Sequence, residues 1–127
     1  MRSLIVPLIA LALGASAQRH PDWTILGEIL AAPATDHDQI VVTAPPREYK
    51  AIRVRVEDAP LRLDHLVLHF DDGPDERVDI RRTMDPNTDT PTIYLPGTGR
   101  VVHRIELWYR DSAPKDAHHA RVIVFGS

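Results

Sequence analysis

Proline placement is the feature that most limits how this 127-residue chain can fold. The chain has 11 prolines, and ten of them lie after residue 20. Because proline lacks a backbone N–H and clashes with the preceding helical turn, long helices have little room between these positions. The segments between the prolines are short and rich in Val and Ile. This spacing predicts an all-β fold, a single antiparallel β-sandwich (jelly-roll-like) of about eight strands.

Hydrophobic alternation places the strands. It is cleanest in residues 49–56 (YKAIRVRV), where Ile52, Val54 and Val56 are expected to face the core. In residues 61–70 (LRLDHLVLHF) the apolar phase changes midway. Since a one-residue slip exchanges the two faces, we expect a bulge or corner near Asp64 and His65. Further strands are expected over residues 39–43, 76–80, 92–95 and 120–125.

The first predicted strand, residues 23–30 (WTILGEIL), has an apolar face formed by Trp23, Ile25 and Ile29. Gly27 lies on the same face. A glycine inside a strand is typical of a bulge or of a close approach by another backbone segment. We therefore expect one of these two features at Gly27.

Residues 101–109 (VVHRIELWY) fit two interpretations, a strand or a helix, and the content of β-branched and aromatic residues favours the strand. As a strand, it places His103 on the core face, where it would be hydrogen-bonded. The opposite face then carries Arg104, Glu106, Trp108 and Arg110. A tryptophan between two arginines on an exposed sheet face is suited to binding a saccharide or a peptide. We therefore take Arg104, Trp108 and Arg110 as candidate ligand-binding residues. The alternative is that the charged residues are cross-strand partners and that Trp108 covers a second core layer.

The N-terminal 17 residues resemble a secretory signal peptide. Arg2 supplies the positive charge, residues 4–13 form an uncharged run, and Ala15-Ser16-Ala17 is a small-residue cleavage site. The run is too short to span a membrane as a helix, which needs roughly 20 apolar residues. We therefore expect a signal peptide over residues 1–17 and a β-sandwich domain over residues 18–127. The expected location is periplasmic or extracellular, with no transmembrane segment in the mature protein.

The charge of the predicted mature chain limits its partners. Without Arg2 it has 14 basic and 18 acidic side chains, a net charge of −4. Nucleic-acid binding needs a basic surface, so we expect no nucleic-acid partner. The chain also has no cysteine, which is compatible with an oxidising compartment but leaves the fold without disulfides.

One loop, residues 84–90 (MDPNTDT), places oxygen ligands at alternate positions, as at the start of a calcium-binding loop. The candidate metal ligands are Asp85, Asn87 and Asp89. The likeness to an EF-hand ends at Thr90 and Pro96, where glycine and glutamate would be required. Because Asp and Asn are also ordinary turn residues, we expect no cofactor, with calcium as the alternative.

Histidines are numerous, at seven. On a strand, His65 and His69 would share one face about 13 Å apart, and His118 and His119 form an adjacent pair in a loop. No known zinc-ligand spacing is present. The histidines therefore predict no particular metal site.

No catalytic nucleophile stands out. The predicted mature chain contains only Ser112 and Ser127, neither in a nucleophile-elbow sequence, and no cysteine. We therefore expect a protein that is not an enzyme, and a small hydrolase remains an alternative.

Short motifs resemble those of small exported bacterial proteins of unknown function. These motifs are the Trp23-x-x-Leu26-Gly27 strand, the Leu95-Pro96-Gly97 segment leading to Arg100 and Arg104, and the closing Phe125-Gly126. The resemblance implies export and a β fold, and it assigns no site residue. The combined expectation is a secreted, non-enzymatic binding or structural module of the bacterial envelope. It would recognise a saccharide or an envelope protein through an exposed sheet face. A calcium-assisted binding domain is the alternative, and the oligomeric state stays open.

Overall fold

Antiparallel strands make up the regular structure of the computed structural model, which describes residues 22–32, 36–111 and 119–127. There is no helix among the described residues, which confirms the predicted all-β class. The expected signal peptide, residues 1–17, lies outside the described residues. The strands are β1 Thr24–Leu30, β2 His37–Val41, β3 Glu48–Tyr49, β4 Ala51–Glu57, β5 Leu61–Phe70, β6 Glu76–Met84, β7 Thr88–Asp89, β8 Ile93–Tyr94, β9 Arg100–Arg110 and β10 Arg121–Gly126.

Two sheets form the sandwich. The β4 sheet has the order β1-β10-β4-β7, and β8 also pairs with β4. The β9 sheet has the order β2-β9-β5-β6, and β3 also pairs with β9. All of the pairings are antiparallel, and neither sheet closes into a barrel. The predicted sandwich is therefore confirmed.

The core lies between the two sheets and is built from their inward-facing aliphatic side chains. Ile52, Val54 and Val56 are fully buried, as predicted from their alternation. Burying one such side chain contributes about 1.5–3 kcal/mol to folding, so a chain without disulfides depends on this layer. The most deeply buried large side chains are Tyr49, Leu26, Ile40, Ile52, Leu61, Leu63, Leu66, Leu68, Ile105 and Leu107.

Two predicted irregularities are confirmed. The register of β5 shifts between Leu63 and His65 against both β6 and β9, and in the pairing with β9 Asp64 is the extra residue of a bulge. The register of β1 shifts between Ile25 and Gly27. A Cβ on Gly27 would lie 2.7 Å from the Val41 carbonyl oxygen, so the close backbone approach is also present.

The face assigned to the first strand is wrong at one position. Ile25 is 48 % exposed, whereas its neighbour Leu26 is fully buried. The bulge between Ile25 and Gly27 explains the difference, because the extra residue exchanges the two faces of the strand.

β9 is a strand, which settles the ambiguity over residues 101–109. The expected core position of His103 is wrong, since its side chain is 65 % exposed. The pairing of β9 with β5 runs from Arg104 opposite His69 to Val102 opposite Phe70, so His103 is skipped. Val102 takes the core position, and the side chain of His103, which has no opposite residue on β5, is exposed to solvent.

Candidate functional site

Three rings stack on the outer face of the β9 sheet, the side that points away from the core. His37 on β2 and His65 on β5 are both directly opposite Trp108 on β9. The centroids of His37 and Trp108 are 4.2 Å apart at 17°, and those of His65 and Trp108 are 4.4 Å apart at 12°. Directly opposite residues of antiparallel strands share a face with their Cβ atoms about 5 Å apart, which suits ring stacking. We call this arrangement the His–Trp–His stack.

The bulge at Asp64 is what brings His65 into the stack. Leu63 pairs with Tyr109, and both of these side chains are buried in the core. Because Asp64 has no opposite residue on β9, the next pair, His65 and Trp108, lies on the outer face. Without this extra residue, strict alternation would carry His65 to the core side.

Glu106 lies beside the stack and links two of the histidines on that face. Its Oε2 accepts a hydrogen bond from Nε2 of His37 at 3.0 Å, and its Oε1 accepts one from Nε2 of His69 at 2.5 Å. The other ring nitrogen of His69 lies 3.0 Å from a carboxylate oxygen of Asp75. The hydrogen bonds from His69 and His37 hold the pKa of the Glu106 carboxyl below its usual value.

Asp64 has a similar partner. Its Oδ2 lies 2.5 Å from Nδ1 of His65, and this hydrogen bond lowers the pKa of the Asp64 carboxyl. Asp79 on β6 is directly opposite His65 and accepts a hydrogen bond from Nε of Arg77 at 2.9 Å, which lowers the pKa of Asp79 as well. These carboxylates are therefore ionised near neutral pH and act as acceptors.

An open pocket of about 280 Å³ lies at one end of the stack. Its most unusual feature is a pair of arginines, because Arg62 on β5 and Arg110 on β9 are directly opposite each other. Like charges in that position repel each other. Neither guanidinium forms an ion pair or hydrogen bond with another described residue. The pocket is lined by Asp36, Arg62, Asp64, Trp108, Tyr109 and Arg110.

Comparison with known proteins places the chain in a family without a known activity. A family model described as a domain of unknown function, DUF2541, matches residues 4–126. The chain belongs to this family. This confirms the expected membership of an uncharacterised family. No curated protein and no solved structure matches the chain.

Two of the three ligand-binding candidates of this DUF2541 chain, Trp108 and Arg110, line the pocket. Arg104 is four residues before Trp108 on β9, opposite Val41 and His69, and its buried Nε has no hydrogen-bond partner among the described residues. The sequence interpretation also expected Trp108 to offer a ring face to a ligand. Both faces are instead covered by imidazoles, so Trp108 contributes its edge to the pocket.

Sequence reasoning missed the other polar residues of the pocket, Asp36, Arg62 and Asp64. Arg62 and Asp64 lie in the segment whose phase change predicted a bulge, and this was the available signal. Asp36 lies just before β2, in a part of the chain that the sequence predicts as a loop. Nothing in the pattern pointed to it.

The acidic loop has the geometry of a tight turn. The carbonyl oxygen of Asp85 accepts a hydrogen bond from Oγ1 of Thr88 at 2.6 Å, and Asn87 has a φ of 64°. The carboxylate of Asp89 pairs with Nη1 of Arg55 at 3.1 Å. No group of three or more His, Asp or Glu side chains in the described ranges is arranged to hold a metal. Calcium binding by Asp85, Asn87 and Asp89 stays a prediction.

The remaining candidates are scattered. His119 lies 3.6 Å from a carboxylate oxygen of Asp111, whereas Ser112 and His118 lie outside the described residues. Over the part of the chain that is described, no helix has the length and hydropathy of a membrane span.

Proposed function

We propose that this protein is a secreted, non-enzymatic binding module that holds a saccharide in the pocket beside Trp108. The observation that carries the proposal is the pocket itself, in which two aspartates and the edge of an indole meet two arginines that have no ion pair with a described residue. Saccharide sites combine a few fixed polar groups with apolar ring surface, because a sugar has hydroxyls at its rim and C–H groups on its faces.

Rigidity of the indole supports this function. Trp108 is held on both faces by imidazoles, and His37 and His65 are in turn hydrogen-bonded to Glu106 and Asp64. A side chain that is fixed before binding loses little conformational entropy when a ligand arrives. The indole edge therefore offers a preorganised contact.

The charge state of Asp64 favours binding over hydrolysis. A glycosidase needs one carboxyl group that stays protonated near neutral pH, and such groups have raised pKa values. The pKa of Asp64 is lowered instead by its hydrogen bond with His65. An ionised carboxylate suits the acceptance of a sugar hydroxyl.

A saccharide panel tests this function. The purified chain is titrated by calorimetry with neutral, acidic and amino-sugar oligosaccharides, and Asp36→Asn and Arg110→Gln are compared with Arg82→Gln. Arg82 is an exposed arginine on β6 outside this pocket, so it controls for the loss of one surface charge. We expect at least one oligosaccharide to bind with a Kd below about 1 mM, which corresponds to about −4 kcal/mol. Both pocket variants should weaken this binding and the control should not.

Failure of every oligosaccharide to bind would remove the saccharide function. Binding of an envelope protein to the same face, blocked by the same variants, would replace it with the protein-partner alternative. Secretion has a separate test, because intact-mass measurement of protein from the host cell should give a mature chain that starts at Gln18.

A further inference from the structure

We infer that the pocket selects saccharides that carry a carboxylate, and that Arg62 and Arg110 together hold this group. The inference rests on the proposed saccharide function and names the ligand class within it. Its starting point is the direct opposition of the two arginines on β5 and β9. Their Cβ atoms are then about 5 Å apart on the same face, so both guanidinium groups reach one small anion.

The two arginines are costly to the fold without a ligand. Like charges directly opposite each other destabilise a sheet, and neither has a counter-ion among the described residues. Some other exposed arginines of this protein have a carboxylate partner. Arg77 bonds to Asp79, and Arg121 bonds to Glu28. An anion placed between Arg62 and Arg110 would relieve their repulsion and gain bidentate, charge-assisted hydrogen bonds.

The acidic residues of the pocket narrow the class of anion. Asp36 and Asp64 also line it, so its formal charge is balanced. A singly charged carboxylate suits this balance better than a doubly charged phosphate, since the extra charge would face two aspartates. Asp64 is already hydrogen-bonded to His65, whereas Asp36 forms no ion pair with a described residue. Asp36 is therefore the acceptor available to a hydroxyl of the ligand.

The ligand that fits these groups has a carboxylate and hydroxyls on one small ring, as in a uronic acid. Its carboxylate contacts the two guanidinium groups, its hydroxyls donate to Asp36, and its C–H groups lie against the edge of Trp108. A neutral hexose has the same ring and hydroxyls but lacks the group that the arginines recognise. The difference in affinity between the two sugars therefore measures the role of the arginine pair.

The test compares trigalacturonate with neutral galactotriose by calorimetry at low ionic strength and again at 0.15 M salt. We expect the wild-type protein to bind the acidic sugar at least tenfold more tightly, with a smaller ratio in the higher salt because charge interactions are screened. Arg62→Gln and Arg110→Gln should each remove most of this preference. Arg82→Gln should retain it. Arg62→Lys should keep only part of it, since lysine keeps the charge but loses the planar fork.

The outcomes separate this inference from the function on which it rests. Equal affinity for the two sugars in the wild-type protein would overturn the role of the arginine pair and leave the saccharide function in place. A preference that persists in both glutamine variants would overturn it as well. If neither of these sugars nor any member of the wider panel binds, the saccharide function itself fails. Thermal unfolding of each variant shows that it is folded before its affinity is interpreted.

Discussion

The His–Trp–His stack makes a prediction that a double-mutant cycle can measure. His37→Ala and Trp108→Ala each remove one ring of the pair whose centroids lie 4.2 Å apart at 17°. Each single change also removes other contacts, including the hydrogen bond between His37 and Glu106. The cycle subtracts these contributions, because they are lost in the same way whether or not the other ring is present.

The expected coupling energy follows from the geometry. Stacked aromatic pairs contribute about 0.5–1.5 kcal/mol beyond the area they bury. The small interplanar angle and short centroid distance indicate a full contact, so we expect about 1 kcal/mol for His37 with Trp108. The second cycle, His65 with Trp108, should give a similar value, since its centroids are 4.4 Å apart at 12°.

Urea unfolding of the four proteins of each cycle at neutral pH gives the coupling energies, provided that the m-values agree. His103→Ala is the matched control, because His103 is a histidine on the same strand as Trp108 with a 65 % exposed side chain and no ring contact to it. Its coupling to Trp108 should be close to zero. A His37–Trp108 coupling no larger than that of the control would refute the stack as a stabilising arrangement, and with it the argument that the indole edge is preorganised.

Four further changes test other parts of the structure. Gly27→Ala should lower the free energy of unfolding by about 1–3 kcal/mol in urea titrations, because the new Cβ would lie 2.7 Å from a backbone oxygen. An unchanged free energy of unfolding would contradict the close contact between the two backbone segments. Leu66→Ala, in the core, should cost about 2–5 kcal/mol in the same assay, and a loss below 1 kcal/mol would argue against its full burial. Glu106→Gln should make the free energy of unfolding fall less steeply as the pH is lowered. The pKa of Glu106 is lowered in the folded state, so the ionised group stabilises the fold above its unfolded pKa, and this contribution disappears as the pH falls through the folded value. Equal slopes of the free energy of unfolding against pH in both proteins below about pH 4.5 would contradict this. Millimolar calcium should leave the Tm unchanged, because Asp89 is paired with Arg55; a clear rise in Tm would instead support the calcium alternative.

The fold was predictable because its signals are local. Alternation in residues 51–57 depends only on which side chains face the core, and a phase change in residues 61–70 can only be accommodated by an extra residue. The one clear error in β9, the core position of His103, has a different origin. The register shift that displaces His103 is caused by how β9 pairs with β5, and a single segment does not contain that information.

The candidate site was only partly predictable for the same reason. Trp108 and Arg110 lie on one strand, so alternation alone places them on one face. Arg62 and His37 come to that face from strands that are distant in the sequence, and their positions depend on strand order and register. Sequence reasoning could therefore identify the strand that carries the site, but not the residues that complete it.

The same register has opposite effects on the two ends of this face. At Trp108 it places a histidine ring on each face of the indole, so neither ring face is open to a ligand. Beyond the bulge at Asp64, it brings Arg62 directly opposite Arg110 and leaves their charges without partners in the described structure. Stacking on an aromatic face and recognition of a negative charge are different modes of binding, and the inferred role of the arginine pair belongs to the second. The affinity of this pocket for a ligand should therefore depend more on salt concentration and on the two arginines than on the aromatic surface of Trp108.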